Sequence, residues 1–339
     1  MMFFLTTFFL ILIFFFTNNY IKKFNYLPNY KGQKHQKFSG LKNIQLSGGI
    51  FLTLASVFLF YNYNPLFSLF ILLMFVVGFI SDINFLSSPK IRLLIQSILV
   101  FFFVFLLDIK IYSTRFILLD LLLENIYFKY FFSAFCLLIL INGSNFIDGL
   151  NGLMLGYFSS IIFLLFFLNY YIFLEIDKNL ILSLLFILVF LLILNINNEL
   201  FMGDSGAYVL GSICGYLLIK IHEVNQEISP YFIILLFWYP CFENLFSILR
   251  KIYTKKSPTV ADNNHFHQLI FFFIKKKNFL KKFNANNISS FAIIIFNLVG
   301  FIIGSNDPSN TKLQVSLVFF NITFYLVIYS SLLKFKYRI

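Results

Sequence analysis

Apolar runs of about 15–20 residues recur from one end of the chain to the other, each near the length a helix needs to cross the hydrocarbon core of a bilayer. The 339 residues are 60% hydrophobic and only 12% charged, whereas a soluble domain carries about 25% charged residues. A water-soluble fold of this size cannot hide that much apolar surface. The expected fold is therefore all-α, a polytopic transmembrane helical bundle forming a single domain over residues 1–339. About eleven spans are expected, near 2–19, 46–61, 65–80, 92–107, 128–141, 153–173, 179–195, 205–221, 230–249, 288–304 and 313–333. The stretch 108–127 is amphipathic and reads as an interfacial segment. The abundance of Phe, 52 residues, reads as coding bias and implies no cofactor. Cys136, Cys214 and Cys241 all fall in apolar stretches, too far apart for a metal pattern, and read as buried small residues.

Alternating the spans sorts the polar connections onto two sides. One set holds 20–45, 81–92, 142–152, 196–204, 250–287 and the tail from Lys334, with 20 of the 26 Lys and Arg residues. By the positive-inside rule this set is cytoplasmic. The N-terminus is then outside and the C-terminus cytoplasmic. The first run lacks a basic n-region and a small-residue cleavage site, and Lys22 and Lys23 follow it, so it reads as a retained helix. The net charge of +12 is thus mainly an orientation signal, and nucleic acid is not an expected partner. The Lys clusters at 275–277 and 281–282 suit anionic lipid headgroups.

The acids are more informative than the bases. Asp82, Asp148, Glu199, Asp204, Glu243 and Asp262 all fall on the expected cytoplasmic side, most of them at the ends of apolar spans. A carboxylate beside hydrocarbon is costly and tends to face a bundle interior or a watery cavity. Several gathered on one face repel one another unless a cation sits among them, which points to a metal site.

Four segments carry candidate chemistry. In the first, Asp82 closes a span, while Lys90 and Arg92 open the next; Lys90 is a candidate phosphate contact, although Ser-Pro with two bases also reads as a plain helix start. In the second, Asn142, Asn145, Asp148 and Asn151 recur every third residue, a spacing that a 3₁₀-like turn would stack into one polar column. Gly143, Gly149 and Gly152 would let a ligand approach the backbone. Such a column suits a sugar, a uridine or a hydrated cation. In the third, Asp204 follows a Gly at the start of an apolar helix, placed to hold Mg²⁺, with Mn²⁺ as a substitute, while free amides face phosphates. Gly211 and Gly215 in that helix have the small-xxx-small spacing of close helix packing. In the fourth, Arg250, Asp262, His265 and His267 gather on a basic loop. With no cysteine or third ligand nearby, zinc is a poor fit, and hydrogen bonding or charge stabilisation at a diphosphate is the better role.

Taken together, Gly78–Arg92, Asn145-Phe-Ile-Asp148-Gly, Phe201-Met-Gly-Asp204-Ser-Gly and His265-Phe-His267, with Gly48-Gly49 closing an early basic stretch from Lys31, resemble the polyprenyl-phosphate N-acetylhexosamine-1-phosphate transferase family. The resemblance runs from about residue 28 to 268, and the His-x-His pattern is similar to its sugar-nucleotide branch. It departs at Ser81, where the family has a first Asp, at Asn151, where many members have a second, and at Gln268, where a further His is common. The resemblance implies transfer of an N-acetylhexosamine 1-phosphate from a UDP-sugar to undecaprenyl phosphate, releasing UMP, at the cytoplasmic face of the inner membrane. It implies Asp82, Asp148, His265 and His267 as catalytic residues, and Asp204 with Asp82 as ligands of Mg²⁺. Asn142, Asn145, Asn151, Lys90, Arg250 and Asp262 would contact substrate. The expected product initiates a surface glycan such as O-antigen, capsule or cell-wall polymer, and a homodimer is compatible with it. The rival class, a transporter or lipid-linked glycan flippase, should scatter its polar residues near mid-span and toward both faces. A purely structural membrane protein gives no reason for the Asn-Asp pattern.

Overall fold

The computed structural model describes residues 2–24, 44–172, 177–257, 262–277 and 284–337, with side chains from Thr7 to Tyr20 in the first of these and to Leu168 in the second. The basic stretch 31–43, Lys281 and Lys282 lie outside the described residues. Among the described residues thirteen helices are formed: α1 Met2–Phe24, α2 Gly48–Tyr61, α3 Pro65–Asp82, α4 Pro89–Leu106, α5 Ile117–Leu123, α6 Ile126–Ile147, α7 Leu153–Ile172, α8 Lys178–Ile196, α9 Gly203–Val224, α10 Pro230–Tyr253, α11 Phe266–Lys277, α12 Ala285–Ser305 and α13 Thr311–Tyr337. Each of the expected apolar spans coincides with a helix. Among the described residues eight helices are long and apolar enough to cross a bilayer, while α2 and the apolar stretches Thr7–Tyr20 and Leu153–Leu168 are shorter. The amphipathic stretch 108–127 contains the short helix α5, whose Ile117, Leu118, Leu121 and Leu122 are exposed, and the first residues of α6.

Helix starts follow local chemistry. Asn64 caps α3 by accepting from Phe67 N at 3.1 Å, with Pro65 pre-set for the first turn. Asn125, Asp177, Ser229 and Asn284 cap α6, α8, α10 and α12 in the same way. Helix α9 is the hub: 78% of its apolar window is buried, against 22% for α4 and for α13. It packs most extensively on α3 and α6. Its small residues permit this, because a Cβ on Gly211 would stand 3.0 Å from the Ile141 Cα and 2.6 Å from Ser144 Oγ. Two large neighbours could not approach so closely.

The two expected sets of connections each touch their own members. In one set, Arg115 on the α4–α5 connection donates to the Gln226, Glu227 and Ser309 carbonyls and to Thr311. In the other, Phe201 pairs with Gln45 and Gly48, and Asn151 of the α6–α7 turn meets Asn198 and Asn286. The residues of candidate chemistry belong to this second set.

Candidate active site

Asp82 ends α3 with its carboxylate against the start of α9. It accepts from Asp204 N at 2.8 Å, Ser205 N at 3.1 Å and Ser205 Oγ at 2.7 Å. These amides have no partner within their own helix, so α3 supplies the side-chain cap that the α9 N-terminus lacks. Gly203 makes the approach possible: its φ is +71° and a Cβ there would lie 2.6 Å from an Asp82 oxygen. Asp204, one residue on, is paired with Arg92 of α4. Ser81 Oγ donates to Asp204 at 2.6 Å and accepts from Arg92 at 2.6 Å. Ser81, Asp82, Arg92, Asp204 and Ser205 therefore form one connected group across three helices.

Asp148 caps the C-terminus of α6. No hydrogen bond to its carboxylate is made among the described residues. Burial, and then the charges of Asp204 and Asp82 facing it, push it well above the usual carboxylate range. Next to it, Gly149 lies under His267, whose ring occupies the space a Cβ would need. His267 is 1% exposed, with both ring nitrogens unpartnered. Burial, reinforced by the neighbouring His265, lowers its pKa to about 3. It is a neutral ring near neutral pH, so charge stabilisation falls to other groups and hydrogen bonding remains.

His265 stacks on His267 at 5.7 Å with a 12° tilt and meets Phe146 edge-on at 5.2 Å. Its Nδ1 is 2.9 Å from Glu243 of α10. Asp262 is held by Arg250 at 2.8 Å. Burial alone would raise Asp262, but Arg250, His265 and Lys251 more than offset it and hold it below its ordinary value.

The expected site residues separate by role. Asp82, Asp204, Asp148, His267, His265, Asp262 and Arg250 face a common region running from the start of α9, past the end of α6, to the start of α11. Lys90 is exposed on the first turn of α4 and joins none of these hydrogen bonds. Asn145 is half-buried at the end of α6, while Asn142 donates to its own helix at Leu138 O, 3.0 Å. The four-residue polar column does not form: α6 continues as α-helix to Ile147 and a turn follows. Asn151 is thereby turned away, donating to Asn198 at 2.5 Å while its own N–H meets Asn286 at 2.8 Å. The glycines of this segment meet protein, with Gly143 on Pro240, Gly149 on His267 and Gly152 on Ile196.

Spacing does not mark Ser81, Arg92 or Glu243 as site residues. Arg92 carries a signal, a cation ten residues after Asp82 at the start of the next span. Ser81 carries none. No group of three or more His, Cys, Asp or Glu converges tightly enough to hold a metal alone among the described residues. The oxygen donors nevertheless suit a hard cation that takes one or two carboxylates and draws its other ligands from phosphate and water.

Among the described residues, helices of membrane length bring carboxylates, a guanidinium and imidazoles together at one set of helix ends. Residues 64–222 match the model of glycosyl transferase family 4. The chain is also similar to the undecaprenyl-phosphate alpha-N-acetylglucosaminyl 1-phosphate transferase of Thermotoga maritima, with 25% identity over 224 residues. The alignment covers 65% of this chain and 65% of that relative's length, just under two thirds. The family match covers α3 to α9 and so includes Asp82, Arg92, Asp148 and Asp204; the His265 loop lies beyond it.

Proposed function

We propose that the chain transfers an N-acetylhexosamine 1-phosphate from a UDP-sugar to undecaprenyl phosphate or a related polyprenyl phosphate, releasing UMP. The reaction would take place at the cytoplasmic face of the inner membrane, as the first membrane step of a surface glycan. One observation carries the reading: Asp82, Asp148 and Asp204, 122 positions apart at the extremes, face one another beside Arg92. The activity for which the Thermotoga maritima relative is named is of the same kind.

Phosphoryl transfer is mainly a matter of positioning and charge neutralisation. A phosphate oxygen of the acceptor attacks the sugar-linked phosphorus of the donor. The bond to the bridging oxygen breaks, and UMP leaves with that electron pair. Asp204, assisted by Asp82, would hold Mg²⁺, which when bound supplies positive charge to the donor's diphosphate. Asp204 is already oriented by Ser81 and Arg92, and Asp82 by the α9 amides, so neither carboxylate has to be assembled on binding. Arg92 and Arg250 bring fixed positive charge to the two flanks of the region. Asp148, whose carboxylate accepts no hydrogen bond among the described residues, is the carboxylate left to orient the acceptor or a donor hydroxyl. The second pKa of a phosphate monoester is about 6, so the acceptor is mostly deprotonated at neutral pH. Ser81 in place of an acid therefore removes little driving force.

The test is UMP release by the purified chain with undecaprenyl phosphate, Mg²⁺ and a panel of UDP-sugars. Asp204→Ala should lower turnover by about 10² or more while the protein still purifies as a folded species, and EDTA should stop the wild type. Full turnover in either case removes the metal assignment. No UMP release from any UDP-sugar removes the transferase reading.

A further inference from the structure

Glu243 is a buried acid that the proposed reaction leaves unused. It lies three residues beyond Pro240 in α10, 1% exposed, in a helix built largely of Phe, Leu and Ile. An ionised carboxylate without partners is strongly disfavoured in such a place. Here both oxygens are matched. Oε1 lies 2.9 Å from His265 Nδ1 and accepts from Phe266 N at 3.4 Å, while Oε2 accepts from the Tyr325 hydroxyl at 2.7 Å.

A carboxylate can only accept, so the shared proton belongs to His265 Nδ1. Nε2 is then the nitrogen left for a ligand. It lies 3.5 Å from Asp262 Oδ1, but the Asp262 oxygens are already held by Arg250 at 2.8 and 3.2 Å. Phe146 and His267 fix the plane of the ring.

Helix α13 completes the arrangement from outside the family match. Tyr325 stacks on Phe266 at 4.5 Å. Tyr329 donates to Asn264 O at 3.0 Å, and Lys336 to Asn263 O at 2.6 Å. The backbone on the N-terminal side of His265 and the acid behind it are therefore both tied to one helix.

We infer that Glu243 and Tyr325 are a positioning pair: Glu243 holds His265 as the Nδ1–H form with Nε2 directed at the donor's phosphates, and Tyr325 holds Glu243. The inference rests on the transferase reading through the role given to His265. Its test uses the full chain, ¹⁵N-labelled at histidine, in lipid vesicles without substrate. The chain has 4 His, so the imidazole spectrum is small and His265 can be assigned with His265→Asn. The wild type should show His265 protonated at Nδ1. Glu243→Ala should lose that preference, and Glu243→Gln should keep it because its amide oxygen still accepts.

In the turnover assay, Glu243→Ala should lower kcat by about 10–100-fold, as expected when a partner that orients a functional histidine is removed. KM for the UDP-sugar should change by less than about 3-fold, since uniform binding is not what is lost. Glu243→Gln should restore most of the rate, and Tyr325→Phe should fall between them. These two variants keep the question answerable if the alanine variant does not fold. An Nε2–H ring in the wild type overturns the inference. So does an Nδ1–H signal unchanged in Glu243→Ala, or an equal loss of kcat in the Gln and Ala variants of equal stability. Because the spectra need no substrate, a wild type with the expected ring but no UMP release refutes the transferase reading instead.

Discussion

At the residue scale, the site is set by which carboxylates are already engaged. Asp82 closes the α9 N-terminus, so Asp82→Ala leaves the Asp204 and Ser205 amides and the Ser205 hydroxyl without their acceptor. Leaving such groups unmet costs about 1–3 kcal/mol each when buried. A fall of several degrees in the melting temperature of the purified protein is expected, together with loss of turnover. Asp204→Ala, which removes a pairing partner but no cap, should lower stability less; equal melting temperatures for the two variants would sink this distinction. His267 makes a separate prediction. An unfolded His titrates at about 6.5, whereas the folded value is lowered to about 3 by burial and by His265. Between these values the unfolded chain binds a proton that the folded one refuses, so stability falls as the pH drops below 6.5. The loss is about 2 kcal/mol at pH 5. Melting curves at pH 7.5 and 5.0 should diverge in the wild type and draw together in His267→Asn. Asp82, Asp204 and His267 are visible in the sequence as rare polar groups at span ends. Their partners are not, because Ser81 and Arg92 look like any hydroxyl and any topology anchor until α3, α4 and α9 are packed together.

At the element scale, α9 decides where the chemistry sits. Its buried window places Asp204 at the end of the most enclosed helix, and its small residues bring α3 and α6 close enough to present Asp82 and Asp148. Gly211→Leu would drive a side chain into the Ile141 backbone and should cost about 1–3 kcal/mol through overpacking. Gly300→Ala in α12 meets nothing nearer than Asn321 at 3.6 Å and should be close to neutral. Melting temperatures of the two purified variants decide the matter, and a harmless Gly211→Leu would remove the close α6–α9 contact from the account. The four-residue spacing of Gly211 and Gly215 makes this packing legible in the sequence itself. The polar spacing of Asn142, Asn145, Asp148 and Asn151 misleads, because a period of three is shared by a 3₁₀ column and by neighbours on an α-helix. With α6 ending at Ile147, the last asparagine passes to a latch with Asn195, Asn198 and Asn286, the side chain of Asn195 accepting from Gly152 N at 2.6 Å.

At the scale of the whole molecule, charge and contact divide the chain in the same way. The connections holding 20 of the 26 basic residues include those that carry Asp82, Asp148, Asp204 and His265. The opposite set is joined by pairs such as Tyr63 with Asp177 and Arg115 with the Gln226 and Glu227 carbonyls. Apolar run length and this asymmetry are enough to anticipate the helices, since both are averages over many residues. Inter-helix partners stay out of reach because each depends on a single side chain. A transferase using a cytosolic nucleotide sugar needs the acidic site on the basic side of the membrane. Lys90→Cys and Lys178→Cys place reporters on the two sets of connections, Lys90 beside the site and Lys178 opposite it. In intact cells a membrane-impermeant maleimide should label Cys at 178 and spare Cys at 90, and permeabilisation should expose the latter. The wild type controls for Cys136, Cys214 and Cys241, all of which lie within helices. Labelling at 90 in intact cells would put the site on the far face, out of reach of its proposed donor. The fold could then stand while the proposed reaction could not.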